Sequence, residues 1–463
     1  MKKLIIIVLL LLCLVGCNTN PNYDTDSNVY TLDVFLDDEH DSLKVEGELY
    51  YKNDDVDLDE LYITLYPNAA NPSSREYNVD LQRLAINDLE HDYEIRGEDN
   101  TQIYLTLEKT LKKGKRISIQ FEYEFDYWDN GRIADYGDYY LTMFFYPFVA
   151  IYDDEGWNID AYTFSGESYY NEIGDYYVSI NFPDTYKIAT GASYVSQELE
   201  EGRQTNHYEI QNARDFSFSA SKDYTLYEHV VGDRTYQIYS IRELSASELT
   251  LSKDVITNTF NYFETEIGSY PYDHFTLEYG HYYGMESTGV IYCSEEINEG
   301  TVVHEIIHQW FYSMVGNDQS DESFLDEAIT TYMQSLYYYN MYGMEGYNGF
   351  LDFRSSLQER FDVLYEVCQG ESLLQQVDEF QDQYGYLIYY HGPSMFRYYV
   401  EEFLDGDITE FYDIISVYFQ TYRYEIATIE DLLNLIEDES GIDNSKEWFM
   451  MQITSFQDFD NRP

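Results

Sequence analysis

The chain has 463 residues, 44% of them hydrophobic, and carries 87 acidic against 26 basic residues for a formal net charge of −61. Such a surface repels phosphate backbones, so nucleic-acid binding is excluded, and it repels anionic lipid, so any membrane attachment has to come from something other than charge. The length suits two or three domains, and 53 Tyr beside 8 Pro describe packed, half-wet aromatic surfaces rather than long linkers.

The first 16 residues read as a signal peptide. Lys2 and Lys3 precede an apolar run, 4–15, that is too short to span a bilayer comfortably. Leu14-Val15-Gly16-Cys17 resembles a bacterial lipobox, so cleavage is expected before Cys17, with a lipid on its sulfur. Residues 17–28 are polar and turn-rich and suit a tether. The mature protein is then expected to be a membrane-anchored lipoprotein, extracytoplasmic and at the cell surface. Cys13 leaves with the signal. Cys293 and Cys368 have no Cys-x-x-Cys partner and read as buried structural residues.

Residues 29–224 alternate apolar and polar side chains in short runs, at 30–36, 43–49, 60–65, 103–107, 117–125, 176–182 and 207–210. Turn clusters such as Lys113-Gly114 and Asp129-Asn130-Gly131 separate them, so an antiparallel β domain is predicted. The texture changes over 225–463. Strands are predicted at 236–241 and 276–279, with a helix over 245–267 between them. Residues 282–292 read as one extended strand, and nearly everything after it as helix. Thr428, with Asp431 three residues on, is placed to cap a helix over 429–436, which Gly441 stops.

The chemistry concentrates at His304-Glu305-Ile306-Ile307-His308, with Glu327 19 positions after His308. On a helix, positions i and i+4 share one face, so both imidazoles can address one ion. Two imidazoles, a carboxylate and an open water position suit one Zn2+ with His304, His308 and Glu327 as ligands. Glu305, on the same turn, is placed as the base for a water held there. Apolar Val302, Val303, Ile306, Ile307, Trp310 and Phe311 argue for a buried helix rather than an amphipathic surface one.

These residues resemble the gluzincin metallopeptidases of the aminopeptidase N family. Their pattern is His-Glu-x-x-His, an 18-residue gap, then Glu in a Trp-Leu-Asn-Glu-Gly-like segment; here the gap runs 309–326 and the segment is Phe324-Leu325-Asp326-Glu327-Ala328. Tyr283-Gly284-Met285-Glu286-Ser287 is similar to the family's Gly-x-Met-Glu-Asn strand, and Tyr389-Tyr390-His391-Gly392 to its Tyr-Glu-Lys-Gly. The resemblance implies a multidomain protein of α and β structure: an N-terminal antiparallel β domain, then a thermolysin-like α/β catalytic domain with a mostly helical C-terminal part. It implies an aminopeptidase acting on peptide substrates, with Tyr389 donating to the oxyanion. It also implies substrate binding by Gly284, Met285 and Glu286, with the Glu286 carboxylate gripping the free α-amine. The family adds a second polar group from the β domain, which no motif in this sequence locates. An endopeptidase or narrow-specificity hydrolase on the same scaffold, or a non-catalytic peptide-binding lipoprotein, are the alternatives.

Overall fold

Alternation in the first half of the chain builds sheets that share one core. A computed structural model describes residues 27–69, 79–97, 99–153, 156–164, 166–352, 368, 370–380 and 383–455. The signal peptide, most of the tether and Cys17 lie outside the described residues. An eight-stranded sheet runs in the order Ser193–Glu200, Arg203–Ala213, Gly174–Pro183, Asn28–Asp37, Ser42–Asn53, Lys115–Asp126, Val79–Ile86, Leu89–Glu90. Its neighbours are antiparallel except Asn28–Asp37 beside Gly174–Pro183, which run parallel. That pair departs from a purely antiparallel domain because the two strands are joined by a long excursion through other strands rather than by a hairpin. Two four-stranded sheets share its core. Leu32, Phe121 and Tyr176 of the large sheet cluster with Leu61, Ile63 and Leu105 of one and with Leu141, Phe218 and Ala220 of the other.

From Thr225 onward the strands belong to a separate five-stranded sheet. Its order is Thr225–Val231, Arg234–Ser240, His274–Gly280, Val290–Ser294, Gly284–Ser287. The middle three are parallel and both edges antiparallel. The helix Ala246–Glu266 makes the crossover that the first parallel pair requires, and Ser245 with Glu248 closes a capping box at its start. The helices Glu299–Ile307, Ile329–Asp352, Gly392–Glu402, Ile408–Tyr422, Ile429–Ser440 and Ser445–Thr454 follow. Thr428 and Asp431 form the expected capping box, and Gly441 ends that helix in the left-handed region at φ 63°. Cys293 and Cys368 are both buried and free.

Residues 282–292 are a hairpin rather than one strand. Gly284–Ser287 folds back on Val290–Ser294 through Thr288 and Gly289, and Gly289 sits at φ 77°, a conformation that suits glycine. The first domain touches this turn backbone to backbone. A Cβ on Gly191 would fall 2.1 Å from Thr288 O, and one on Gly289 2.6 Å from Gly191 O. Asp215 strengthens the contact by accepting from Thr288 N at 2.7 Å and from the Ser287 hydroxyl. The edge strand of the five-stranded sheet is therefore set in place by the β domain.

Candidate active site

Asn298 caps the helix Glu299–Ile307 by accepting from Gly300 N and Thr301 N. Val302, Val303, Ile306 and Ile307 are buried, which fixes the helix rotation and turns His304 and His308 toward the interior. Glu327 arrives on a π-helical turn, Phe324–Ala328, that leads into Ile329–Asp352. Such turns widen the helix locally and re-aim side chains. His304 Nε2 lies 3.0 Å from Glu327 Oε2 and 3.2 Å from His308 Nε2, and the third side of this triangle, His308 Nε2 to Glu327 Oε2, is 3.6 Å. A tetrahedral ion with bonds of about 2.0–2.1 Å holds its ligand atoms roughly 3.3–3.4 Å apart. The triangle therefore fits zinc in size as well as in donor type.

The ligands are themselves supported. His308 Nδ1 lies 3.1 Å from Phe311 O and 2.8 Å from Asp326 Oδ1, which leaves Nε2 to face His304 and Glu327. Tyr389 sits on a second π-helical turn, Leu387–His391, and its hydroxyl donates to Glu327 Oε1 at 2.6 Å. Gly392 lets the two turns approach, since a Cβ there would fall 2.4 Å from that of Ala328. Burial alone would raise the Glu327 carboxyl, but the His304 and His308 imidazoles hold it well below the usual range. Burial pushes the Asp326 carboxyl up to about 7, against the pull of His308. The Tyr389 phenol is raised by burial and by the neighbouring Glu327 charge.

The rest of the site comes from both domains. Glu286, on the edge strand Gly284–Ser287, is 2% exposed and accepts from Gln319 Nε2 at 3.1 Å. Gln319 Nε2 also donates to Asp326 Oδ2. From the β domain, Glu167 brings a carboxylate oxygen within 4.8 Å of carboxylate oxygens of Asp326 and Glu327, and it pairs with Arg132 Nη2 at 2.8 Å. Gly284 gives Glu305 room, since a Cβ there would fall 2.7 Å from Glu305 Oε1. Burial raises the carboxyl groups of Glu305 and Glu167 well above the usual range, with the neighbouring carboxylates adding to it.

The fold thus gathers His304, His308, Glu327, Glu305, Tyr389, Gly284 and Glu286. Met285 differs: its side chain is buried in the first domain's core, so it offers a substrate only its backbone. Glu286 faces the other way by strand alternation. Glu167, Arg132, Gln319 and Asp326 were not singled out from the sequence. A faint signal for Glu167 is a lone carboxylate among the aromatic residues Tyr162, Phe164, Tyr169 and Tyr170.

Residues 247–458 match the Peptidase family M1 domain. The chain is similar to Probable aminopeptidase 2 of Sulfurisphaera tokodaii, 29% identical over 148 residues that make up 30% of this chain and 18% of that protein. Tricorn protease-interacting factor F2 of Thermoplasma acidophilum is 31% identical over 144 residues, again 30% of this chain and 18% of the relative. The match spans less than a fifth of the length of these curated relatives. Among solved structures, an M1 zinc metallopeptidase from Deinococcus radiodurans has a TM-score of 0.67 at 13% identity, covering 94% of this chain and 96% of that one. A two-domain M1 zinc metallopeptidase mutant bound to L-arginine has a TM-score of 0.67 at 12% identity, covering 95% and 96%. The fold is that of the two-domain M1 metallopeptidases, a β-rich domain followed by a catalytic domain with a helical C-terminal part.

Asp326→Ala removes the carboxylate beside His308 Nδ1. Zinc affinity is expected to fall about 10–100-fold, read by competition with a chelator; an unchanged affinity would show that Phe311 O alone orients the ring.

Proposed function

We propose that this chain is a zinc-dependent aminopeptidase that removes N-terminal residues from peptides outside the cytoplasmic membrane, held there by a lipid on Cys17. The observation that carries the first part is the pair of buried carboxylates, Glu286 and Glu167, beside the His304, His308 and Glu327 triad. A free α-ammonium suits such a pair, and an internal peptide nitrogen does not. The curated relatives named as aminopeptidases support the reading, as does a Deinococcus radiodurans M1 zinc metallopeptidase mutant bound to a Tyr-Ser-Ala substrate. The lipobox-like Leu14-Val15-Gly16-Cys17 supports the location. No helix among the described residues is long and apolar enough to cross a membrane.

His304, His308 and Glu327 would hold one ion, which would supply Lewis-acid chemistry to the scissile carbonyl and to water. Glu305 takes the proton from the attacking water and delivers it to the leaving amine, a role for which its burial beside the triad suits it. The Tyr389 hydroxyl turns from Glu327 to donate to the oxygen on which charge develops. The substrate backbone lies along the free edge of Gly284–Ser287 as an added strand, and Gly284 keeps the edge clear for it. Glu286 and Glu167 hold the ammonium, so the first peptide bond comes to the base. Only a chain end satisfies both contacts, which makes the enzyme an exopeptidase.

The test is a panel of aminoacyl fluorogenic substrates, free and N-acetylated, on the zinc-loaded protein. Cleavage confined to free amines is expected. Glu305→Gln is expected to lower kcat about 100–10,000-fold, and Glu286→Ala to abolish the preference for the free amine. Cleavage of blocked peptides as fast as free ones would refute the aminopeptidase reading. Expressed in a bacterial host, Cys17→Ser is expected to move the protein from membranes to the soluble fraction; unchanged membrane association would refute the lipid tether.

A further inference from the structure

We propose that Gln319 is a third acceptor for the substrate's α-ammonium, completing a tripod with Glu286 and Glu167. The inference rests on the aminopeptidase reading and adds a residue and a hydrogen-bond count to it. Gln319 is 1% exposed and lies in the segment between the metal ligands His308 and Glu327. Its amide nitrogen donates to Glu286 Oε1 at 3.1 Å and to Asp326 Oδ2. Two carboxylates on one side of the amide fix its orientation, because the reversed amide would set its carbonyl against two anions. Both N–H groups are thereby used.

The carbonyl Oε1 is then left to accept from another donor. It is buried and has no hydrogen-bond partner among the described residues. An acceptor left in this state is costly unless a ligand brings a donor. Glu167 repeats the pattern: its Oε1 is taken by Arg132, and its Oε2 is buried without a partner. The two residues are tied together, since Gln319 N donates to Tyr169 O at 3.2 Å, two positions beyond Glu167. Asp326 joins the cluster by approaching Glu167 and Glu286 within the same 4.8 Å limit. A primary ammonium carries three N–H donors, and Glu286, Glu167 and the Gln319 carbonyl supply three acceptors. A neutral third acceptor adds a directed bond without adding a further negative charge to the buried carboxylates.

The test is calorimetric binding to the zinc-loaded full-length protein of three ligands: leucinamide, N-methyl-leucinamide and the amine-free 4-methylpentanamide. In the wild type, N-methylation is expected to weaken binding about 10-fold or more, because it removes the third donor. Gln319→Met is expected to weaken leucinamide by a similar factor, to leave 4-methylpentanamide unchanged and to erase the N-methyl penalty. Gln319→Glu keeps an acceptor and is expected to keep the preference for the amine. Zinc content and thermal midpoint verify that each variant is folded, and the N-methyl comparison needs no variant at all. Equal binding of leucinamide and its N-methyl derivative by the wild type would overturn the proposal. So would full amine preference in Gln319→Met, or equal loss of it in both variants, which would mark Gln319 as a spacer between carboxylates. If the wild type bound leucinamide no better than 4-methylpentanamide, the aminopeptidase reading itself would fall.

Discussion

Five carboxylates, those of Glu167, Glu286, Glu305, Asp326 and Glu327, share one buried site in which none is more than 7% exposed. Burying even one such charge without compensation costs several kcal/mol. The surroundings offset part of this. Arg132 pairs with Glu167, His304 and His308 face Glu327, His308 borders Asp326, Gln319 spans Glu286 and Asp326, and Tyr389 donates to Glu327. In the proposed aminopeptidase, a divalent ion and an ammonium are the charges that complete the balance. Metal and substrate are therefore part of what makes the site stable, and ligands that bind only the folded state stabilise it in proportion to their occupancy.

Neither domain builds this site alone. The second domain carries the triad, Glu305 and the edge strand. The β domain contributes Glu167 and Arg132 and positions the hairpin through Asp215 and the Gly191 contact. Arg214 adds a second lock by donating to Asn171 O in its own domain at 2.9 Å and to Glu425 O in the other, also at 2.9 Å. The two domains are thus tied together beside the site, and the distance from Glu167 and Glu286 to the triad is set by packing. In the proposed aminopeptidase, fixing that distance lets a binding contact select the first peptide bond.

How much of this could be read in the sequence depends on how local each feature is. The helix pair His304 and His308 is legible because 3.6-residue geometry fixes two side chains from spacing alone, and Glu327 follows at the family's distance. The strand alternation and the Thr428–Asp431 cap are local in the same sense. The hairpin at 282–292 was not legible, because one glycine at positive φ converts a single extended stretch into two strands. Glu167 and Gln319 were not legible either. Glu167 acts through contacts with Asp326 and Glu327 in the other domain, and Gln319 through Glu286, 33 residues away, so no periodicity encodes them. Met285 shows what a motif leaves out: strand alternation sends its side chain into the core and leaves only its backbone on the edge strand.

The central claim is that Glu167, from one domain, and Glu286, from the other, hold a single ammonium. A double-mutant cycle on kcat/KM for a free-amine substrate tests it directly, using Glu167→Gln, Glu286→Gln and the pair, with zinc content checked in each. Two groups acting on one charge are expected to be strongly non-additive, with a coupling energy of about 1 kcal/mol or more. Additive effects, or a silent Glu167→Gln, would contradict the account.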